Sequence, residues 1–188
     1  MSTNAKPYKE TLNLPTTEFS MKANLTVREP QIQALWREQD LYGQIREARA
    51  RAKAERRVLH DGPPYANGDI HMGTALNKML KDFVVRSLTM RGFDSPYVPG
   101  WDCHGLPIEH KVVKDLGSKA ASLSQAEIRS LCQAEALKWV DVQRDQFRRL
   151  GVMGDWENPY LTLDHRYEAG ILDVLADLLE GGYVFRQL

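Results

Sequence analysis

The sequence predicts an α/β fold organised around a parallel β-α-β unit, and three observations predict it. A short apolar run at Val58 and Leu59 leads into the Gly/Pro-rich stretch HDGPPYANGDIHMGT, residues 60–74. A helical pattern follows, and after Gly92 the stretch FDSPYVPG reads as a second strand that stops at Pro99 and Gly100. Strand, helix and strand at this spacing need a crossover, which makes the strands parallel. In open parallel sheets ligands bind beyond the carboxyl ends of the strands, where HDGPPYANG and PGWDCHGLPIE both fall.

Composition sets the bounds. The chain has 188 residues, 43% of them hydrophobic, enough for one core of ordinary size and a small appendage. Lys plus Arg and Asp plus Glu are equal at 25 each. The whole chain therefore has no electrostatic pull on nucleic acid, membrane or acidic substrate, and any nucleic-acid contact needs a local patch. Only two cysteines, Cys103 and Cys132, and an opening without an export-signal pattern lead to the expectation of a cytoplasmic protein. No apolar run approaches the roughly 20 residues that cross a bilayer.

Residues 1–27 are polar with weak alternation and contain Pro7 and Pro15, so they read as an extended arm. From Pro30, tolerated in a first turn, the spacing of Ile32, Leu35, Trp36, Leu41 and Ile45 predicts one helix. The basic stretch REARARAKAERR reads as its solvated continuation. These elements form an arm-and-helix unit, residues 1–56, ahead of a main unit, residues 57–188. The helix after the opening loop is expected over residues 71–91, with Leu76, Met79, Leu80, Phe83, Val84 and Leu88 on its buried face. A longer helix starts at Ser124, where Glu127 three residues on completes a capping box, and buries Ile128, Leu131, Val140 and Phe147. Another spans residues 167–180 and closes at Gly181 and Gly182, and YVFRQL reads as a last strand that looks cut short.

The opening loop feeds a helix whose first turn holds His71, Gly73 and Thr74. A helix start presents unpaired N–H groups and partial positive charge, which suits phosphate, and Gly73 allows close approach. Neither G-x-x-x-x-G-K-[ST] nor a G-x-G spacing is present. On spacing alone, a strand-turn-helix that binds nothing remains open.

The residues HMGT after PPYANG resemble the HIGH signature of class I aminoacyl-tRNA synthetases. HDGPPYANGDIHMG with GFDSPYVPGWDCHGLPIE is similar to the pattern of the isoleucine-specific branch, and the likeness extends to YKETLNLPTTEFSMKANLTVREP and RLGVMGDWENPYLT. The resemblance implies a Rossmann-type catalytic fold, here its first half, that stops before an editing insertion. It implies ATP, with Mg2+, as substrate, isoleucine activated to its adenylate, and transfer to isoleucine tRNA, all in the complete enzyme. By that likeness His71, Gly73 and Thr74 are catalytic, His71, Met72, Gly73 and Thr74 contact ATP, and Gly62, Pro63 and Asp102 border the amino acid, Asp102 pairing with its ammonium group. No metal ligand is expected in this segment.

Two departures stand out. Thr74 occupies the place where the family usually has histidine, and a hydroxyl donates a hydrogen bond but carries no charge. No KMSKS-like loop occurs in the sequence, so the isolated chain is expected to be inactive. The alternative is a shortened, non-catalytic paralogue that serves as a binding or interaction module. Cys103, His104 and His110 lack the spacing of a zinc site, Cys132 reads as a small core residue, Asp102 has a loop-structuring reading, and His60 and Asp61 are read as orienting the loop.

Overall fold

The computed structural model describes residues 8, 12, 13, 17, 18 and 22–187, so most of the expected arm lies outside the described residues. Two helices, α1 (Leu25–Glu38) and α2 (Leu41–Arg51), replace the single helix expected from Pro30. Between them Asp40 takes a left-handed φ of 46° and its carboxylate accepts a hydrogen bond from the Gly43 amide at 3.3 Å, which starts α2. Pro30 lies inside α1 rather than in its first turn. Its missing N–H would have met the Thr26 carbonyl, so the loss falls near the helix start.

Both helices are tied to the body. Gln33 donates to the Arg149 carbonyl at 2.8 Å, and Glu29 pairs with Arg149 at 2.9 Å. The Tyr42 hydroxyl accepts from the Tyr97 amide at 3.0 Å and donates to the Tyr97 carbonyl at 3.2 Å, as a neighbouring strand would. The basic stretch is only partly a solvated face: Arg46 pairs with Asp94 at 2.5 Å and Arg49 donates to the Thr89 carbonyl at 2.8 Å.

The sheet is parallel, as expected, but much shorter. Strand β1 (Gly100–Trp101) pairs with β2 (Tyr160–Leu161), Gly100 opposite Tyr160. On the other side of β1 the chain from Arg56 to Tyr65 runs parallel and forms two isolated bridges with residues 94–102, Arg56 with Asp94 and Tyr65 with Asp102. The strands expected at Val58 and across FDSPYVPG are thus reduced to bridges and one pair. Pro63, Pro64, Pro96 and Pro99 lie in these two segments and have no N–H to give a ladder.

Helix α3 (Met72–Met90) crosses between the two bridged segments and carries the clearest correction. Most of the face expected to be buried is open, with Leu76 60% and Phe83 57% exposed, although Met79 packs against the core; Lys78, Asp82 and Val85 are buried. The two charged residues go inside because each meets a partner: Lys78 meets Asp61, and Asp82 accepts from Arg86 at 2.5 Å and from the Met153 amide at 2.9 Å.

Helix α4 (Leu106–Leu116) stands in what reads as loop. Gly105, with φ 89°, precedes it, Pro107 occupies a tolerated first-turn position, and Ile108 and Val112 are buried one turn apart. A 3₁₀ turn (Gly117–Ser122) leads to α5 (Gln125–Arg149), whose capping box is formed as expected: the Glu127 amide donates to Ser124 Oγ at 3.3 Å and the Ser124 amide to Glu127 Oε2 at 2.7 Å. Cys132, Ala136, Val140, Gln143 and Phe147 form its buried face, and Leu131 is exposed. The core centres on Trp101, Phe147 and Trp156, whose ring centroids lie 6.0–6.4 Å apart. Helix α6 (His165–Glu180) starts at Asp164 and leaves Ile171, Leu172 and Val174 more than half exposed. Residues 183–187 form no strand, contrary to the reading of YVFRQL.

Candidate active site

The loop from His60 to Ile70 is held from three directions. At its start Asp61 is buried and its carboxylate accepts hydrogen bonds from Lys78, from Lys81 at 2.7 Å and from the Gly100 amide at 3.0 Å. In its middle Tyr65 and Asp102 bridge, the Asp102 amide donating to the Pro64 carbonyl at 2.9 Å and the Ala66 amide to the Asp102 carbonyl at 3.0 Å. From above, α5 reaches in with two glutamines. Gln143 accepts from Trp101 Nε1 at 3.0 Å and donates to the Tyr65 and Gly68 carbonyls at 3.0 and 2.7 Å. Gln146 accepts from the Ile70 amide at 3.0 Å and donates to Asp69 at 2.6 Å.

This arrangement brings Gly62, Pro63 and Asp102 to neighbouring positions on adjacent parallel segments. Gly62 is exposed, Pro63 and Asp102 half-buried. Asp102 Oδ1 accepts from the His104 amide at 3.2 Å and, weakly, from the Thr162 hydroxyl at 3.5 Å, so the carboxylate does structure its loop. No protein donor among the described residues reaches Oδ2, which leaves an acceptor for a ligand.

His71, Met72, Gly73 and Thr74 stand at the other end of the loop, joined to Asp102 by no direct hydrogen bond among the described residues. His71 is the N-cap of α3: its Nδ1 accepts from the amides of Gly73 at 3.1 Å and Thr74 at 3.3 Å. The helix-start donors that a phosphate would meet are therefore turned onto His71 itself. With Nδ1 an acceptor, the ring carries its proton on Nε2, which becomes the outward donor. Gly73 permits this, because a β-carbon there would lie 3.0 Å from His71 Cε1. Thr74 is half-buried, and Met72 is 85% exposed.

The electrostatics are set by Asp61 and its neighbours. Burial pushes the Asp61 carboxyl up, but the Lys78 ammonium and the hydrogen bonds from Lys78, Lys81 and the Gly100 amide outweigh it and hold the carboxyl below its ordinary range. Burial pulls Lys78 down against the attraction of Asp61, so the two shifts act on the pair in opposite senses. Two cations sharing one carboxylate keep Asp61 ionised, and that is the direction the geometry supports. Burial, with Asp61 beside it, raises the Tyr97 phenol far above its ordinary value, and burial pushes Tyr160 up to about 12. Sequence reasoning missed Lys78, Lys81, Gln143 and Gln146, since nothing local marks them as reaching this loop.

Two recesses lie elsewhere. One of about 750 Å³ is lined by the segment before α4 and by residues of α4, α5 and the start of α6, including Cys103, Ile108, Cys132 and Glu168. Another of about 680 Å³ lies between the α1–α2 corner and residues 151–158. Neither is lined by Gly62, Pro63, Asp102 or His71–Thr74. Among the described residues no group of three or more His, Cys, Asp or Glu is arranged to hold a metal ion.

The family model described as tRNA synthetases class I (I, L, M and V) matches residues 31–188. The chain belongs to this family of class I tRNA synthetases. Its curated relatives include an isoleucine–tRNA ligase of Halorhodospira halophila, 60% identical over 177 residues that make up 94% of this chain and 19% of the relative. One of Fervidobacterium pennivorans is 60% identical over 95% of this chain and likewise 19% of the relative. This class I chain thus spans about one fifth of the length of the relatives it matches. Among solved structures, a LeuRS of Agrobacterium radiobacter K84, solved in a ternary complex with tRNA and LeuAMS, overlays with a TM-score of 0.65 at 20% identity, over 88% of this chain and 19% of that one. That overlay shows the class I fold, in which the short parallel sheet here is a partial Rossmann-type unit. Among the described residues no helix is long and apolar enough to cross a membrane.

Proposed function

We propose that this chain supplies the amino-acid and ATP-binding loops of an isoleucine–tRNA ligase, whose overall reaction forms isoleucyl-adenylate and esterifies isoleucine tRNA in the cytoplasm. The observation that carries this reading is the 60% identity to isoleucine–tRNA ligases over 94% of the chain, which includes both loops. In activation the isoleucine carboxylate attacks the α-phosphate of ATP, pyrophosphate leaves with the Mg2+ that accompanies the nucleotide, and negative charge builds on the phosphoryl oxygens. The His71 ring, donating from Nε2, suits that charge, with Met72, Gly73 and the Thr74 hydroxyl beside it. Asp102 Oδ2 receives the ammonium group, and the exposed backbone at Gly62 and Pro63 borders the amino acid.

Calorimetric titration of the folded chain with a non-hydrolysable isoleucyl-adenylate analogue tests this. Specific binding that Asp102→Asn weakens at least about tenfold supports it, that being the loss for one charge-assisted contact. Absence of binding to a demonstrably folded chain counts against a site formed by these loops alone. A second reading, an interaction module, is favoured by the open apolar faces of α3 and α6. It predicts no response to the analogue.

A further inference from the structure

The geometry points to Asp61 as a positioning residue which, together with Lys78 and Lys81, fixes the Gly62–Pro63 backbone against helix α3 and strand β1. The role rests on the reading of Gly62 and Pro63 as the edge of the amino-acid site. Four groups converge within one residue of that edge. Lys78 and the Gly100 amide donate to Asp61 Oδ2, Lys81 donates to Oδ1, and the Tyr160 hydroxyl donates to the Asp61 carbonyl at 2.7 Å. Lys81 Nζ also reaches the carbonyl of Gly62 itself at 3.4 Å. One residue therefore ties together α3, which carries His71 at its cap, and β1, which runs into Asp102, through its carboxylate, and β2, which carries Tyr160, through its carbonyl.

The charges are not balanced. Two ammonium groups meet one carboxylate, and Lys78, 1% exposed, is further surrounded by the rings of Tyr97 and Phe147 at 5.8 and 5.2 Å. A core that needed only stability would be served by apolar side chains of similar volume, since burying ions is costly. Lys81 keeps 15% of its side chain exposed and adds the surplus cation on the side of Gly62. Asp61 can thus accept both lysines while the Gly62 carbonyl is held in one orientation.

The test uses the chain as it stands with Lys81→Met, because Asp61→Asn strands the buried Lys78 and the half-buried Lys81 and is at risk of unfolding. Nuclear magnetic resonance reads the Gly62 carbonyl and the exchange rate of the Gly100 amide, and the analogue titration reads affinity. The expected result is a displaced Gly62 resonance and Gly100 exchange faster by about tenfold, with the Val140 and Phe147 amides unchanged. Lys81→Arg, which keeps the charge, restores both. Analogue affinity falls about tenfold in Lys81→Met if the wild-type chain binds it. An unchanged Gly62 resonance and unchanged Gly100 exchange in folded Lys81→Met overturn the positioning role. If the wild-type chain binds no analogue, the reading of the site in this chain fails, while the resonance and exchange data still decide the role of Asp61.

Discussion

The ring of Tyr160 fills the space that a side chain at Gly100 would take, so that a β-carbon there would overlap its Cζ and Cε atoms. Tyr160 is not free to swing away. Its hydroxyl is bonded to the Asp61 carbonyl, and its ring is stacked between His60 at 5.7 Å and Tyr167 at 5.9 Å. Gly100→Ala is expected to lower stability by about 1–3 kcal/mol through overpacking. Urea unfolding measures it, and a change under about 0.5 kcal/mol would show that the stack yields freely.

Gln143 is a junction whose loss leaves three groups unpaired. It is 3% exposed and bonds the Trp101 indole and two loop carbonyls. Gln143→Leu keeps the volume but strands these groups, at about 1–3 kcal/mol for a buried unsatisfied polar atom. A thermal midpoint equal to wild type would mean that water takes over the partnership.

For His71, cap and donor separate by substitution. His71→Asn retains a capping oxygen and is expected to hold the stability of the chain, whereas His71→Ala loses about 1 kcal/mol. Both remove the Nε2 donor, so both weaken the adenylate analogue. Equal stability of the two variants would exclude the cap, and undiminished binding in both would exclude the donor.

Three carboxyls set the response to acid. Asp61 is held low against burial by Lys78 and its other donors, Glu127 by the Ser124 amide, and Glu135 by its hydrogen bond from Lys111. A carboxyl lowered by folding contributes its stabilisation in full above the ordinary value of about 4 and loses it as pH falls toward the folded value. The urea midpoint should therefore decline from about pH 5 downward. A midpoint that is flat or rising between about pH 6 and 3.5 would contradict these assignments.

Burial pushes the Cys103 thiol up to about 11, and burial also raises Cys132. Neither thiol should react appreciably with iodoacetamide at about pH 8 until urea unfolds the chain. Rapid labelling of the folded protein would show that the recess beside them opens.

What was legible in the sequence is what local chemistry encodes. Ser124 and Glu127 announced α5, and the Gly/Pro loops, with their family likeness, announced the candidate site. Helix α4 was masked by Pro107, although Ile108, Val112 and Leu116 recur at four-residue spacing. The face of α3 was misread because periodicity reports which side chains are apolar, not which are covered. Lys78 goes inside because Asp61 waits there, 17 residues earlier in the chain. Gln143 likewise meets Tyr65 across 78 residues, a separation over which no local rule operates.

The pairing of Gly100 with Tyr160 closes a loop of about sixty residues, which costs roughly 4 kcal/mol of chain entropy. Backbone hydrogen bonds from Tyr160 to Pro99 and from Thr162 to Trp101 flank that pair, and each is worth about 1 kcal/mol net. The strands cannot recruit each other unaided. Helices α4 and α5, packed on one another within the enclosed stretch, shorten the distance before the strands meet. The two-stranded sheet thus leans on its helices, the reverse of a sheet that templates its own covering.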